Sequence, residues 1–208
     1  MIIKDIEFIG SFPKEANMPV DLLPEFVFIG RSNVGKSSLI NMLCNRDKLA
    51  KVSSTPGKTQ LINVFLINKR FKVIDLPGFG YAKVSQKLRK SWGLMIEYYL
   101  TNRSNITCVF ILIDSRLEPQ KIDIEFISWC AEQNLPLALI YTKIDKSKIN
   151  IINRNISKMR STLLPAFQSM PDVLLTSAEK RTGKEEVWLY IEKVLIAYEK
   201  FIHENKIK

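Results

Sequence analysis

Gly30-Arg31-Ser32-Asn33-Val34-Gly35-Lys36-Ser37 fits the pattern G-x-x-x-x-G-K-[ST] and lies between an apolar run and an amphipathic segment. Glycines at both ends let main-chain N–H groups close around a phosphate, which also meets the positive end of the following helix. Lys36 supplies a cation to β- and γ-phosphates, and the Ser37 hydroxyl is a ligand for Mg²⁺. Asp75-Leu76-Pro77-Gly78 follows a second apolar run. Alone, D-x-P-G is an ordinary turn. Downstream of a phosphate loop it sets a carboxylate near the magnesium and the Gly78 N–H near a γ-phosphate. Thr142-Lys143-Ile144-Asp145 ends a third apolar run. A carboxylate accepts from both N1–H and the 2-amino group of guanine, whereas adenine offers neither donor on that edge, so Asp145 selects GTP over ATP. Lys143 can lie along the base plane. Thr176-Ser177-Ala178 ends a fourth run and can turn a main-chain N–H toward the guanine O6; by itself it would pass for a capping turn.

These groups work only if strands deliver them to one edge. Short runs rich in β-branched and aromatic residues predict strands at Ile6 to Ile9, Phe26 to Ile29, Leu61 to Ile67, Phe71 to Ile74, Val109 to Asp114, Leu137 to Tyr141 and Val173 to Thr176. Amphipathic stretches predict helices at Lys36 to Cys44, Gln86 to Asn102, Gln120 to Asn134, Ile151 to Leu164 and Lys184 to Ile202. Asn68-Lys69-Arg70 is too short for a crossover, so the strands on either side form an antiparallel hairpin. The other strands alternate with helices and require right-handed parallel connections. The expectation is a three-layer α/β fold of the P-loop NTPase type, a mostly parallel sheet with one antiparallel strand. Ligands of such sheets sit at the carboxyl ends of the strands, where all four motifs fall.

The chain has 208 residues, 46% hydrophobic and 25% charged, which suits a single domain over 1–208. Residues 1–24 would form an N-terminal strand and an extended lead-in, and 184–208 a C-terminal helix. No apolar stretch is long enough to span a membrane, and Lys4, Asp5 and Glu7 interrupt any signal-peptide core, so a cytoplasmic protein is expected. Cys44, Cys108 and Cys130 lack disulfide or zinc spacing and read as buried thiols. His203, the only histidine, stands in a charged tail, and Trp92, Trp129 and Trp188 lie in helical segments suited to packing. The formal charge is +10, and residues 46–90 hold eleven basic side chains against Asp47 and Asp75. Such concentration fits a polyanion, RNA foremost.

The four motifs occur in the order found in translation-factor-related GTPases, and nearly the whole chain resembles the EngB family (also YihA or YsxC). The particular marks are Gly30-Arg31-Ser32-Asn33, Ser54-Thr55-Pro56-Gly57-Lys58-Thr59-Gln60, Asp75-Leu76-Pro77-Gly78-Phe79-Gly80-Tyr81-Ala82 and Thr142-Lys143-Ile144-Asp145. The resemblance implies a Ras-like G domain that hydrolyses GTP as a switch in large ribosomal subunit assembly and is needed for normal cell division and septation. It also implies that the switch-one magnesium ligand is Thr59, which sequence chemistry alone could not separate from Thr55. The implied catalytic set is Lys36, Thr59 and Gly78, the implied metal ligands are Ser37 and Thr59, and Gly57, Lys58, Thr59, Gln60 and Leu61 join the nucleotide site. The ribosomal precursor would be met through 46–90, by a monomer.

Three departures from the Ras-type pattern bear on mechanism. Phe79 replaces the water-orienting glutamine, so slow intrinsic hydrolysis is expected. Asn33 stands where potassium-activated relatives coordinate a monovalent cation, though it also suits a turn. Thr142 replaces the usual asparagine, which predicts modest nucleotide affinity. A P-loop ATPase or kinase, and a GTP-binding division scaffold without turnover, are the alternatives.

Overall fold

The computed structural model describes residues 1–46, 49, 61–79 and 86–206, with the main chain alone for 86–92 and 205–206. Ser54 to Gln60, with Thr55 and Thr59, and Gly80 to Ala82 of the expected switch segments lie outside the described residues. Seven strands, β1 (Ile6–Phe12), β2 (Glu25–Gly30), β3 (Ile62–Ile67), β4 (Phe71–Asp75), β5 (Ile106–Asp114), β6 (Leu137–Thr142) and β7 (Asp172–Leu175), form one sheet in the order β1-β3-β4-β2-β5-β6-β7. Five helices connect or follow them: α1 (Lys36–Leu43), α2 (Gln86–Asn102), α3 (Lys121–Glu132), α4 (Ile149–Leu163) and α5 (Lys184–Lys206). Only β3 runs against its neighbours, antiparallel to both β1 and β4, as the hairpin requires. Its turn closes with Asn68 and Lys69 both at positive φ and Arg70 N–H donating to the Ile67 carbonyl.

Unbroken apolar runs, rather than alternating ones, mark strands covered on both faces. Phe26, Phe28 and Phe110 point to a core shared with α1 and α5, including Leu39, Leu43, Trp188 and Leu195. Their neighbours Val27, Ile29 and Ile111 point to the opposite core, with Tyr99, Ile127 and Met159 from α2, α3 and α4. The three thiols are buried, and burial pushes each up to about 12, far from reactivity. His203 is exposed, and Trp188 is buried with its indole N–H on the Leu43 carbonyl.

Several boundaries differ from expectation. β1 continues to Phe12 because each added residue finds a partner on β3. β5 begins at Ile106, where Glu25 pairs with it. The lead-in to β2 contains a 3₁₀ turn at Glu15–Asn17. It is tied down by an unforeseen ionic cluster: fully buried Glu25 accepts from Tyr99 and Arg103, Arg103 also reaches Glu15, and Lys72 meets Asp21 at 2.7 Å. Of the basic window, Lys72 is therefore engaged in the interior and Arg70 in a surface ion pair. Lys72 is 2% exposed, and Arg70 makes a two-pronged contact with Glu199 at 2.8 and 2.6 Å. The expected RNA-facing charge has to come from the others.

Candidate functional site

The carboxyl ends of β2, β4, β5 and β6 and the loop after β7 deliver Gly30, Asp75, Asp114, Thr142 and Thr176 to one edge. The 30–37 loop turns through Asn33 (φ 63°) and Gly35 (φ 108°), the latter serving as α1 N-cap. Such left-handed backbone is open to glycine and, less readily, to asparagine. Val34 is buried, and its carbonyl accepts from the Thr142 hydroxyl at 2.6 Å. Thr142 thus anchors the phosphate loop to β6, with a second contact to the Ile113 carbonyl at 3.2 Å. Lys143, also at positive φ, donates to the Asn33 carbonyl at 2.7 Å and to Asp114 at 2.8 Å. Burial alone would raise the Asp114 carboxyl, but hydrogen bonds from Arg116 and Lys143 hold it at about 2. Asp114 and its arginine carry no motif, which is why the sequence did not single them out.

Lys36, although a lysine, is buried, and its ammonium pairs with Asp75, which is 1% exposed and also accepts from Asn63 at 3.1 Å. Ser37 is half-buried, and its hydroxyl has no hydrogen-bond partner among the described residues. Leu76 and Pro77 are buried, carrying the chain so close to the phosphate loop that a Cβ on Gly78 would lie 3.0 Å from the Ser32 nitrogen. Phe79 then bridges to Arg31, its N–H donating to the Gly30 carbonyl at 3.1 Å. Its ring stacks on Phe126 of α3, with centroids 4.5 Å apart.

At the other end, the Ser177 hydroxyl donates to Asp145 at 2.5 Å and holds that carboxyl below its usual range. The Ile144 N–H donates to the Thr176 carbonyl at 3.3 Å, locking the two loops side by side. Between the ends lies a cavity of ≈ 380 Å³ whose lining includes Gly35, Thr142, Lys143, Asp145, Thr176 and Ala178. Lined also by Ser38, Asn41 and Arg181, it is larger than the motifs alone defined. Leu61, placed in the site by resemblance, sits before β3, exposed and off that lining.

Asp123 is the most unusual group nearby. Fully buried at the start of α3, it faces Arg31 at 3.1 Å, with Asp114 and Tyr141 also within electrostatic reach. Burial pushes its carboxyl up to about 6 against the pull of Arg31. The folded protein therefore binds a proton that the unfolded chain, with an ordinary carboxyl, releases. Keeping Asp123 ionised at neutral pH costs on the order of 2–3 kcal/mol, recovered as pH falls through 6 toward 4. In thermal unfolding, Asp123→Asn is expected to be more stable than wild type at pH 7.5, and the gap should shrink at pH 5. A constant gap would contradict this.

Residues 25–143 match the family model described as 50S ribosome-binding GTPase. The probable GTP-binding protein EngB of Christiangramia forsetii is 48% identical, over 92% of this chain and 97% of its own. The chain belongs to the EngB family. A crystal structure of a probable GTP-binding protein EngB superposes with a TM-score of 0.66 at 25% identity, covering 83% of this chain and 99% of that one. Era, in complex with MgGDPNP and nucleotides 1506-1542 of 16S ribosomal RNA, shares the fold with a TM-score of 0.66 at 23% identity, over 83% of this chain and 56% of its own. As an EngB protein the chain is a GTP-binding GTPase, which answers the ATP-or-GTP alternative. Among the described residues of this EngB chain, no helix is long and apolar enough to cross a membrane.

Proposed function

We propose that this EngB protein couples GTP hydrolysis to assembly of the large ribosomal subunit, with the nucleotide held by the residues around the ≈ 380 Å³ cavity. The observation that carries the site is the convergence of the glycine-bounded loop, the Lys36–Asp75 pair and the Asp145–Ser177 pair on that one edge. The loop amides and Lys36 take the phosphates, the Gly78 N–H reads the third phosphate, and Asp145 with Ala178 reads guanine. The hard oxygen donors suit Mg²⁺: among the described residues the Ser37 hydroxyl has no hydrogen-bond partner, and no cluster of three or more His, Cys, Asp or Glu competes. Ser37 and Thr59 would hold the ion, whose chemistry there is to neutralise charge on the phosphate oxygens. Phe79, stacked on Phe126, puts an apolar ring where a glutamine would orient water, which supports slow intrinsic turnover.

Asn33 presents an exposed amide beside the phosphate loop, and we include K⁺ as an activating ion held there. Replacing KCl by NaCl in a turnover assay is expected to slow hydrolysis, and equal rates would remove K⁺ from the scheme.

The family model's 50S ribosome-binding description supports the ribosomal reading, as does the excess of basic residues in 46–90. GTP would order the two switch loops, and hydrolysis would release them and loosen the hold on RNA. The role in cell division and septation would follow from ribosome supply. Co-sedimentation with purified large subunits tests this reading. Binding should be tighter with a non-hydrolysable GTP analogue than with GDP and weaken steeply with salt; equal affinity in both states would contradict it.

A further inference from the structure

One helix touches both halves of the phosphate site. Asp123 and Phe126 are three residues apart on α3 and share a face. Asp123 meets the side chain of Arg31, and Phe126 stacks on Phe79. Arg31 and Phe79 are the two residues whose main chains bridge the phosphate loop to the Gly78 segment. One of its two hydrogen bonds is long: Ser32 N–H to the Phe79 carbonyl spans 3.4 Å. Contacts from α3 therefore reinforce a main-chain bridge of one ordinary bond, Phe79 N–H to the Gly30 carbonyl at 3.1 Å, and one long one.

The Asp123 carboxylate is costly to keep. It is fully buried, and neither oxygen has a well-aligned hydrogen bond; the Arg31 Nε opposite it is likewise unsatisfied. A buried charge held by one ion contact is a poor way to stabilise a fold, and an apolar side chain would serve stability as well or better. Such under-satisfied groups call for a role other than packing.

We propose that α3 acts as a two-point clamp, Asp123 on Arg31 and Phe126 on Phe79, that positions the phosphate loop and Gly78 for GTP hydrolysis. Both are positioning residues, acting through Arg31 and Phe79. GDP binding depends on them less than hydrolysis does, because the base-reading end and the Thr142 anchor of the phosphate loop lie on other elements. The proposal rests on the phosphate-site reading above.

The test measures single-turnover phosphate release and affinity for a fluorescent GDP in wild type, Asp123→Asn and Phe126→Leu, with thermal unfolding alongside. Each variant is expected to hydrolyse GTP about tenfold more slowly, since small misplacements in a preorganised site are costly, while GDP affinity stays within about twofold. A merely structural role would lower GDP affinity and the unfolding midpoint together with the rate. The clamp is overturned by a rate within about threefold of wild type in either variant, or by GDP affinity falling in step with the rate. Failure of the site reading itself looks different: wild type would then bind no GDP in competition with GTP. Phe126→Leu keeps an apolar side chain at the contact and loses the ring stacking, so it tests the clamp independently of Asp123→Asn.

Discussion

Asp145→Asn is expected to lower GTP affinity by roughly a hundredfold or more and to erase the preference for guanine. The carboxylate presents two acceptors to the two donors on the guanine edge; asparagine presents one acceptor and one donor, so an N–H faces an N–H. Xanthine keeps the ring N–H and replaces the amine with a carbonyl, which matches the amide, so XTP should overtake GTP. The fold should be indifferent. Asp145 lies outside the buried core, and its contact with the Ser177 hydroxyl at 2.5 Å can be kept by the asparagine oxygen. Displacement of a fluorescent GDP by GTP, XTP and ATP reads the result, and unaltered selectivity would place the base elsewhere.

Lys36→Ala should produce two separable losses. The first is catalytic: removing a cation aimed at developing phosphate charge costs about 10²–10³-fold in turnover. The second is structural, because Asp75, 1% exposed, loses its ion pair and, among the described residues, keeps only the Asn63 amide. Stranding a buried carboxylate costs about 3–5 kcal/mol, which for a chain of this size lowers the unfolding midpoint by roughly 6–20 °C. Adding Asp75→Asn should restore much of the midpoint and none of the turnover. If both losses recovered together, the lysine would be serving only the fold.

How much could be read beforehand follows from what kind of signal each feature leaves. Strand runs such as Phe26 to Ile29 and the short Asn68-Lys69-Arg70 link carry hydrophobic period and turn chemistry, and the sheet follows from them. The pairing of β1 with β3 left no such trace, since it depends on which edge the hairpin offers. Contiguous motifs revealed the phosphate loop and Asp145. Asp114, Asp123 and Arg181 were missed because they reach the site from separate elements as single polar residues, and only folding brings them beside Lys143, Arg31 and the cavity. At Thr142 the sequence predicts a lost base contact and modest affinity. The structure adds a second task that sequence does not reveal, holding the Val34 carbonyl. Lys72 reads as surface charge because sequence alone cannot reveal that buried Glu25 and surface Asp21 hold its ammonium.

The central claim is that one guanine nucleotide sits between the phosphate loop and Asp145, and calorimetric titration tests it most directly. With Mg²⁺ present, GDP and a GTP analogue should each give a saturable one-site isotherm in wild type, and ATP at the same concentration should give none. Matching isotherms for ATP and the GTP analogue, or no heat with either guanine nucleotide, would contradict it.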